Sequence, residues 1–213
     1  MFASSAIKGD AETTSQHQVA EVRRALHAGA SVLNDTADRL ASQVVEVAKI
    51  LSTAIAGGHK ILVCGNGGSA ADSQHFAAEL VGRYRCERAP LPALALTVDT
   101  SVLTSLGNDY GFDRVFARQV TALGSAGDVL LAISTSGNSQ NVLAAVEAAH
   151  DIGIKTVGLL GMNESRISLE ADVCLQAPAT DTSLIQQAHI AILHVLCDFI
   201  EQQCGALAQP RID

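Results

Sequence analysis

The sequence predicts an α/β protein, a parallel sheet covered on both faces by helices and preceded by further helices. Three observations predict it. From Lys60 onward, short apolar runs alternate with helical stretches, the pattern of strands joined by crossover helices. Before Lys60, apolar residues recur at steps of three and four, which is the helical period. Hydrophobic residues make up 48% of the 213, charged residues 17% and aromatic residues 3%, with no Trp. Such a chain fills one sizeable core with Ala, Val, Leu and Ile and is not disordered.

Taken in order, residues 1–16 are polar and read as a flexible N-terminal tail. Residues 17–57 read as two helices, with apolar positions at Val19, Val22, Leu26, Ala30 and Leu33, then Leu40, Val44, Val47, Leu51 and Ile55. Asn34-Asp35-Thr36 offers capping residues between them, and Gly57-Gly58 stops the second. Their apolar stripe exceeds what a sheet domain with its own covering helices needs, so a helical bundle shared between subunits is its expected home, with packing back on their own domain as the alternative. Residues 58–205 form the sheet domain, and 206–213 a C-terminal tail. The expected strands are Ile61–Cys64, Leu94–Val98, Val129–Ile133, Thr156–Leu160 and Val173–Leu175. Helices are expected near 69–82, 112–123, 139–151 and 183–203, with Phe76, Phe112 and Phe116 in the core.

Charge and composition exclude several classes of function. A formal net charge of −8 opposes general binding to nucleic acid or to an anionic membrane surface, although Arg83, Arg85 and Arg88 make a small basic cluster. Aromatic residues are too few for a base-stacking platform. Five cysteines without a CxxC pair read as reduced residues of a cytosolic protein. The first seventeen residues lack an apolar signal region, and no stretch reads as the ~18 apolar residues of a membrane span. The expected location is cytoplasmic.

The most informative segment is CGNGGSAADSQHFAAE, Cys64 to Glu79. Gly65, Gly67 and Gly68 follow an apolar strand, which lets the backbone turn sharply and approach a ligand. Asn66 or Ser69 could cap the next helix, whose free N–H groups favour an anion. His75 and Glu79, four residues apart, project from one helical face and read as a metal or acid/base pair, a plain surface pair, or a satisfied, partly buried His beside a Glu. A second loop, Ser134-Thr135-Ser136-Gly137-Asn138-Ser139, also follows a strand and opens a helix. Its hydroxyls and amides make a neutral phosphate cradle. Both loops fall at the carboxyl edge of the predicted sheet, where ligands bind in folds of this class.

Gly65-x-Gly67-x-x-Ala70 also fits a loose dinucleotide fingerprint. The acid expected about 20 residues on, after the second strand, is missing, and no nucleoside-triphosphate loop occurs. Toward the C-terminus, Gln186, His189 and His194 lie in a helix that is apolar around most of its circumference, so a buried imidazole there needs a partner. Gln186 and His194 are separated by about 12 Å along that helix. They reach one point only if side chains lean together or neighbouring chains contribute.

Four stretches, CGNGGSAADSQHFAAELVGRY, TVDTSVLTSLGNDYGFDRVFARQV, GDVLLAISTSGNSQNVL and IQQAHIAILH, resemble the phosphoheptose isomerases of the sugar-isomerase (SIS) domain family, in the family's order and spacing. The resemblance implies a three-layer αβα sandwich with a five-stranded parallel, flavodoxin-like sheet, N-terminal helices that build a homotetramer, and sites between subunits. It implies conversion of D-sedoheptulose 7-phosphate to D-glycero-D-manno-heptose 7-phosphate, for the ADP- or GDP-heptose of surface polysaccharides such as lipopolysaccharide. Carried over by position, a zinc ion, one per subunit, would be held by His75, Glu79, Gln186 and His194. The phosphate contacts fall on Ser134, Thr135, Ser136 and Ser139, and the sugar contacts on Asn66, Gly67, Gly68, Arg83, Asn108 and Asp109, with Glu79 and Gln186 also touching substrate. Glu79 and His194 match the proton-transfer pair. The chain departs from the family at Leu184, where Arg or Lys is usual, at Gln187, where Glu is usual, and after Leu160, where Gly-Gly is common. Rival readings are a non-enzymatic relative such as the DnaA initiator-associating protein and an isomerase of another phosphosugar. The partner-binding relatives lack the Glu79/His194 pair.

Overall fold

In the computed structural model, which describes residues 4–204 and the side chains of residues 16–204, a five-stranded parallel sheet lies between two helical layers. Its strands are β1 (Ile61–Gly65), β2 (Ala93–Ala95), β3 (Val129–Ser134), β4 (Lys155–Leu160) and β5 (Val173–Gln176). The spatial order is β2-β1-β3-β4-β5, a doubly wound order whose direction of winding reverses between β1 and β3. The helices are α1 (Ser4–Ala56), α2 (Gly68–Val81), α3 (Thr100–Tyr110), α4 (Val115–Leu123), α5 (Gln140–Asp151), α6 (Arg166–Glu170) and α7 (Thr182–Cys204). β1 and β3 are buried along their whole length, as expected of strands covered on both faces.

Alternate strand residues feed two cores. Ile61, Val63, Leu131, Ile133, Val157 and Leu159 face α1, α2 and α7 on one side. Leu62, Cys64, Leu130, Ala132 and Leu160 face α4 and α5 on the other. This is the period-two alternation of a strand sorting its side chains between two layers. At the amino edge, Asp128 accepts hydrogen bonds from the Lys60 N–H (2.9 Å), Lys60 Nζ (2.6 Å) and the Ser125 N–H (2.8 Å). Burial opposes its ionisation, but these donors outweigh burial and hold its carboxyl below the ordinary range.

Several sequence expectations are corrected. The first two helices are one, because Asn34-Asp35-Thr36 does not break it: Thr36 Oγ1 donates to the Val32 carbonyl at 2.7 Å, satisfying its hydroxyl within the helix. The same helix takes in residues 4–16, read from sequence as a tail. Ala, Lys, Glu and Gln in that stretch are good helix formers. The C-terminal tail, 206–213, lies outside the described residues. β2 stops at Ala95, where the chain turns toward α3 after the Leu96 N–H donates to the Val63 carbonyl at 2.8 Å. α3 and α6 were not expected. Both carry readable caps, Asp99 accepting from the Val102 N–H and Ser165 forming a capping box with Ser168. The helix expected over 112–123 opens with a 3-10 turn, Phe112–Arg114. Phe76 and Phe116 are buried, whereas Phe112 is exposed.

α7 is long and apolar enough to cross a membrane by length and composition, contrary to the sequence reading. Here it packs on α1, α2 and the sheet, with Ile192, Leu193, Leu196, Cys197 and Ile200 buried, so its apolarity serves the core. Its His189 is fully buried, with Nε2 donating to the Leu160 carbonyl at 3.0 Å and Nδ1 unpartnered. Burial outweighs that hydrogen bond and pulls the imidazole down to about 4. An unfolded chain takes up this proton near pH ~6.5, which the folded chain refuses until the lower value. Stability is therefore full above that range and falls as pH drops through it. His189→Leu is expected to flatten this part of the slope in thermal unfolding between pH ~7 and ~5; an unchanged slope would assign it elsewhere.

Candidate active site

β1 and β3 stay paired up to Gly65 and Ile133, and at this reversal of winding each continues into one of the two loops singled out in the sequence. After β1 the chain passes through Asn66 and Gly67, whose φ of 56° lies in the left-handed region, where glycine is favoured. α2 begins at Gly68 without a side-chain cap, so neither Asn66 nor Ser69 acts as one. Asn66 instead forms a reciprocal amide pair with Asn141 on α5, at 2.8 and 2.9 Å. This pair bridges the crevice and fixes the two loops against each other. A Cβ at Gly68 would collide with the Gln186 amide of α7. Glycine there admits Gln186 to the start of α2.

At the end of β3, two hydroxyls gather around that of Ser134. Ser139 Oγ stands 3.0 Å and Ser136 Oγ 3.5 Å from Ser134 Oγ, which also accepts the Gly137 N–H at 3.1 Å. Gly137 has a φ of 64°, and a Cβ there would strike Ser165 at the cap of α6. The loop is also tied to α6 by the Arg166 N–H donating to Asn138 Oδ1 at 3.1 Å. Beside it opens a cavity of ≈ 410 Å³ lined by Thr135, Ser136, Asn138, Gly161 and Thr182 among others. Uncharged donors at the start of α5 suit a phosphate group.

The second half of the site lies between α2 and α7. His75 Nε2 and His194 Nε2 are 2.9 Å apart, one donating and the other accepting, and Glu79 Oε1 stands 3.5 Å from His75 Nε2. His194 is thus joined, through His75, to a carboxylate from a helix distant in sequence. The rings of His75 and His194 meet edge to face at 71°, and Tyr84 stacks on His194 with centroids 5.8 Å apart.

Imidazole nitrogens and a carboxylate oxygen are donors of the type zinc takes. Among the described residues, however, no three His, Cys, Asp or Glu side chains close into a group that holds a cation; His75 touches both neighbours, and no contact joins Glu79 to His194. Gln186 rests against Gly68, about 12 Å along α7 from His194. A single chain therefore supplies the donor chemistry without assembling all four proposed ligands.

Three further expected residues are not drawn in. Arg83 is exposed and pairs with Glu87 at 3.7 Å. Asn108 and Asp109 lie exposed at the end of α3, bonded to each other at 2.7 Å. Arg88, read as part of a basic cluster, is buried and paired with Glu201 at 3.0 Å. Of the family departures, Gln187 packs over Gly29 of α1 and Leu184 joins Val32 in a small apolar cluster, so both face the α1 contact. All five cysteines are free, with Cys86 exposed. Sequence reasoning missed Asn141, Tyr84 and Glu201. Asn141 carried a signal, since Asn is a weak helix former near a helix start.

The family model described as "SIS domain" matches residues 26–161. Over 183 residues the chain is 51% identical to a phosphoheptose isomerase of Geobacter sulfurreducens, spanning 86% of this chain and 97% of that one. The chain belongs to the phosphoheptose isomerase family. Two solved members of the family share its fold. Phosphoheptose isomerase GmhA from Neisseria gonorrhoeae matches with a TM-score of 0.83 and 44% identity over 87% of this chain and 99% of that one. The phosphoheptose isomerase from Francisella tularensis matches with a TM-score of 0.84 and 39% identity over 87% and 98%. As a member of this family the chain is an isomerase acting on a sugar phosphate.

Proposed function

We propose that this chain is an aldose–ketose isomerase that converts D-sedoheptulose 7-phosphate to D-glycero-D-manno-heptose 7-phosphate, in the formation of nucleotide-activated heptose. The observation that carries the proposal is the meeting of Glu79 and His194 around His75, with contacts of 3.5 and 2.9 Å. Moving a carbonyl from C2 to C1 needs one group to carry a carbon-bound proton and another to exchange the oxygen-bound protons. Glu79 takes a proton from C1 of the open-chain ketose, leaving an enediolate, and returns it to C2. His194 opens the ring, protonates O2 and accepts the proton leaving O1. The sum is a balanced isomerisation without any redox partner.

Ser134, Thr135, Ser136 and Ser139 hold the phosphate in this reading, and the Asn66–Gly68 turn faces the sugar. A divalent cation, zinc by its donor chemistry, would be held by His75, Glu79 and His194 with Gln186. When bound it polarises the substrate oxygens and stabilises the charge of the enediolate. Because Gln186 and His194 are separated by about 12 Å along α7, the reading includes subunits that share sites. A homotetramer through α1 suits the exposed Val19, Val22, Leu26 and Leu33 on that helix. Five free cysteines and a phosphorylated substrate fit the cytoplasm.

The test is formation of the aldose heptose 7-phosphate from sedoheptulose 7-phosphate by the purified chain. Chelation is expected to abolish turnover and zinc to restore it. A well-folded, metal-loaded chain that forms no aldose would overturn the reading.

A further inference from the structure

We infer that Tyr84 is a positioning residue for His194, held in place by a buried clamp between Arg88 and Glu201. The inference rests on the isomerase reading for its catalytic consequence and on geometry alone for its structural one. His194 projects from a helix, and its ring makes two defined contacts. One is the edge-to-face meeting with His75, centroids 5.1 Å apart; the other is the stacked Tyr84 ring, with planes 22° apart. Nε2 is engaged with His75, which sets the position of one ring atom and leaves the ring free to pivot about it. A flat neighbour over the ring face removes that pivot.

Tyr84 lies in the irregular segment between α2 and β2, where a side chain would ordinarily have many positions. The segment is fastened unusually well. Glu201, on α7, accepts the backbone N–H groups of Tyr84 (3.1 Å), Arg85 (2.8 Å) and Cys86 (2.9 Å) in succession. It also accepts Arg88 Nε at 3.0 Å, with both side chains buried. The Arg88 guanidinium then donates to the carbonyls of Glu79 (2.9 Å), Leu80 (2.9 Å) and Ala89 (3.0 Å), so it closes the last turn of α2. Outside the clamp, Arg85 lies over the Tyr84 ring at 5.3 Å and pairs with Asp198 of α7 at 3.5 Å.

One ion pair thus ties together the backbone of Glu79, the backbone of Tyr84 and the helix that carries His194. The consequence is a fixed relation between the two proton-transfer groups, set by the buried Arg88–Glu201 pair. Misplacement by ~1 Å costs a reaction of this kind up to about 100-fold.

The experiment compares Tyr84→Phe and Tyr84→Leu with the parent chain. Steady-state rates are measured on sedoheptulose 7-phosphate, the thermal midpoint is recorded, and crystal structures give the orientation of the His194 ring. Tyr84→Leu is expected to lower kcat roughly 10- to 100-fold with KM and thermal midpoint little changed, and to leave His194 rotated or in several orientations. Tyr84→Phe keeps the stacked ring and is expected to restore both rate and orientation. A Tyr84→Leu chain whose His194 keeps the parent orientation, or a Tyr84→Phe chain as impaired as Tyr84→Leu, would overturn the inference. If the parent chain itself fails to isomerise the sugar, the isomerase reading falls, while the ring orientation still decides whether Tyr84 positions His194.

Discussion

Glu79→Gln is expected to lower kcat for isomerisation by about 10²- to 10⁴-fold, the range of a lost general base, while the chain stays folded. The amide is nearly isosteric but cannot take the C1 proton. The change is also structurally mild, because the side chain of Glu79 is partly exposed and the contact that matters to the fold is made by its backbone carbonyl, which accepts Arg88 Nη2 at 2.9 Å. The check is aldose formation by the variant alongside its circular dichroism and thermal midpoint. Equal rates in variant and parent would remove Glu79 from the mechanism.

Glu201→Ala carries the largest expected effect on stability. It strands the Arg88 guanidinium, only 1% exposed, without a counter-charge, and deprives three consecutive backbone N–H groups of their acceptor. Breaking a buried pair by removing one partner costs about 3–5 kcal/mol. Burial by itself opposes ionisation of Glu201, but the N–H groups of Arg85, Cys86 and Tyr84 and the charge of Arg88 outweigh it and hold the carboxyl below its ordinary range. The pair is therefore charged at neutral pH, and its loss is felt in full. Urea unfolding of parent and variant measures the difference. A change within ~0.5 kcal/mol, the ordinary range of a surface substitution, would show that the clamp contributes nothing.

Much of the fold is legible because each strand is a short apolar run bounded by helical periodicity. Val129–Ile133 and Ile61–Cys64 need no tertiary knowledge, since burial on both faces leaves no polar alternation to confuse. α3 is harder to see. None of its residues is fully buried, and only Leu103 and Leu106 pack, partly buried, against the core, so its core-facing stripe is short and the Asp99 cap is its clearest mark. The break expected at Asn34-Asp35-Thr36 fails for the opposite reason. Capping residues suit helix interiors when a hydroxyl satisfies itself on the preceding turn, and packing on α7 decides the matter.

The site divides in the same way. The loops at Gly65–Ser69 and Ser134–Ser139 are local, so spacing reveals them, whereas the meeting of His75 with His194 joins residues more than a hundred positions apart. Only the family's motif order joined them in sequence. Asn141 and Glu201 stayed hidden because their partners, Asn66 and the Tyr84–Arg88 segment, are chosen by tertiary packing. Arg83, carried over from the family, pairs instead with Glu87, and Asn108 bonds Asp109.

The central claim is that this chain moves a proton between C1 and C2 of a ketoheptose phosphate by way of an enediolate. The most direct test is to run the conversion of sedoheptulose 7-phosphate in deuterium oxide and read the product by NMR. The account predicts D-glycero-D-manno-heptose 7-phosphate carrying deuterium at C2, because a proton held on Glu79 exchanges with solvent before its return. Aldose formed without any solvent deuterium would contradict the proton-shuttle mechanism, and no aldose at all would contradict the function.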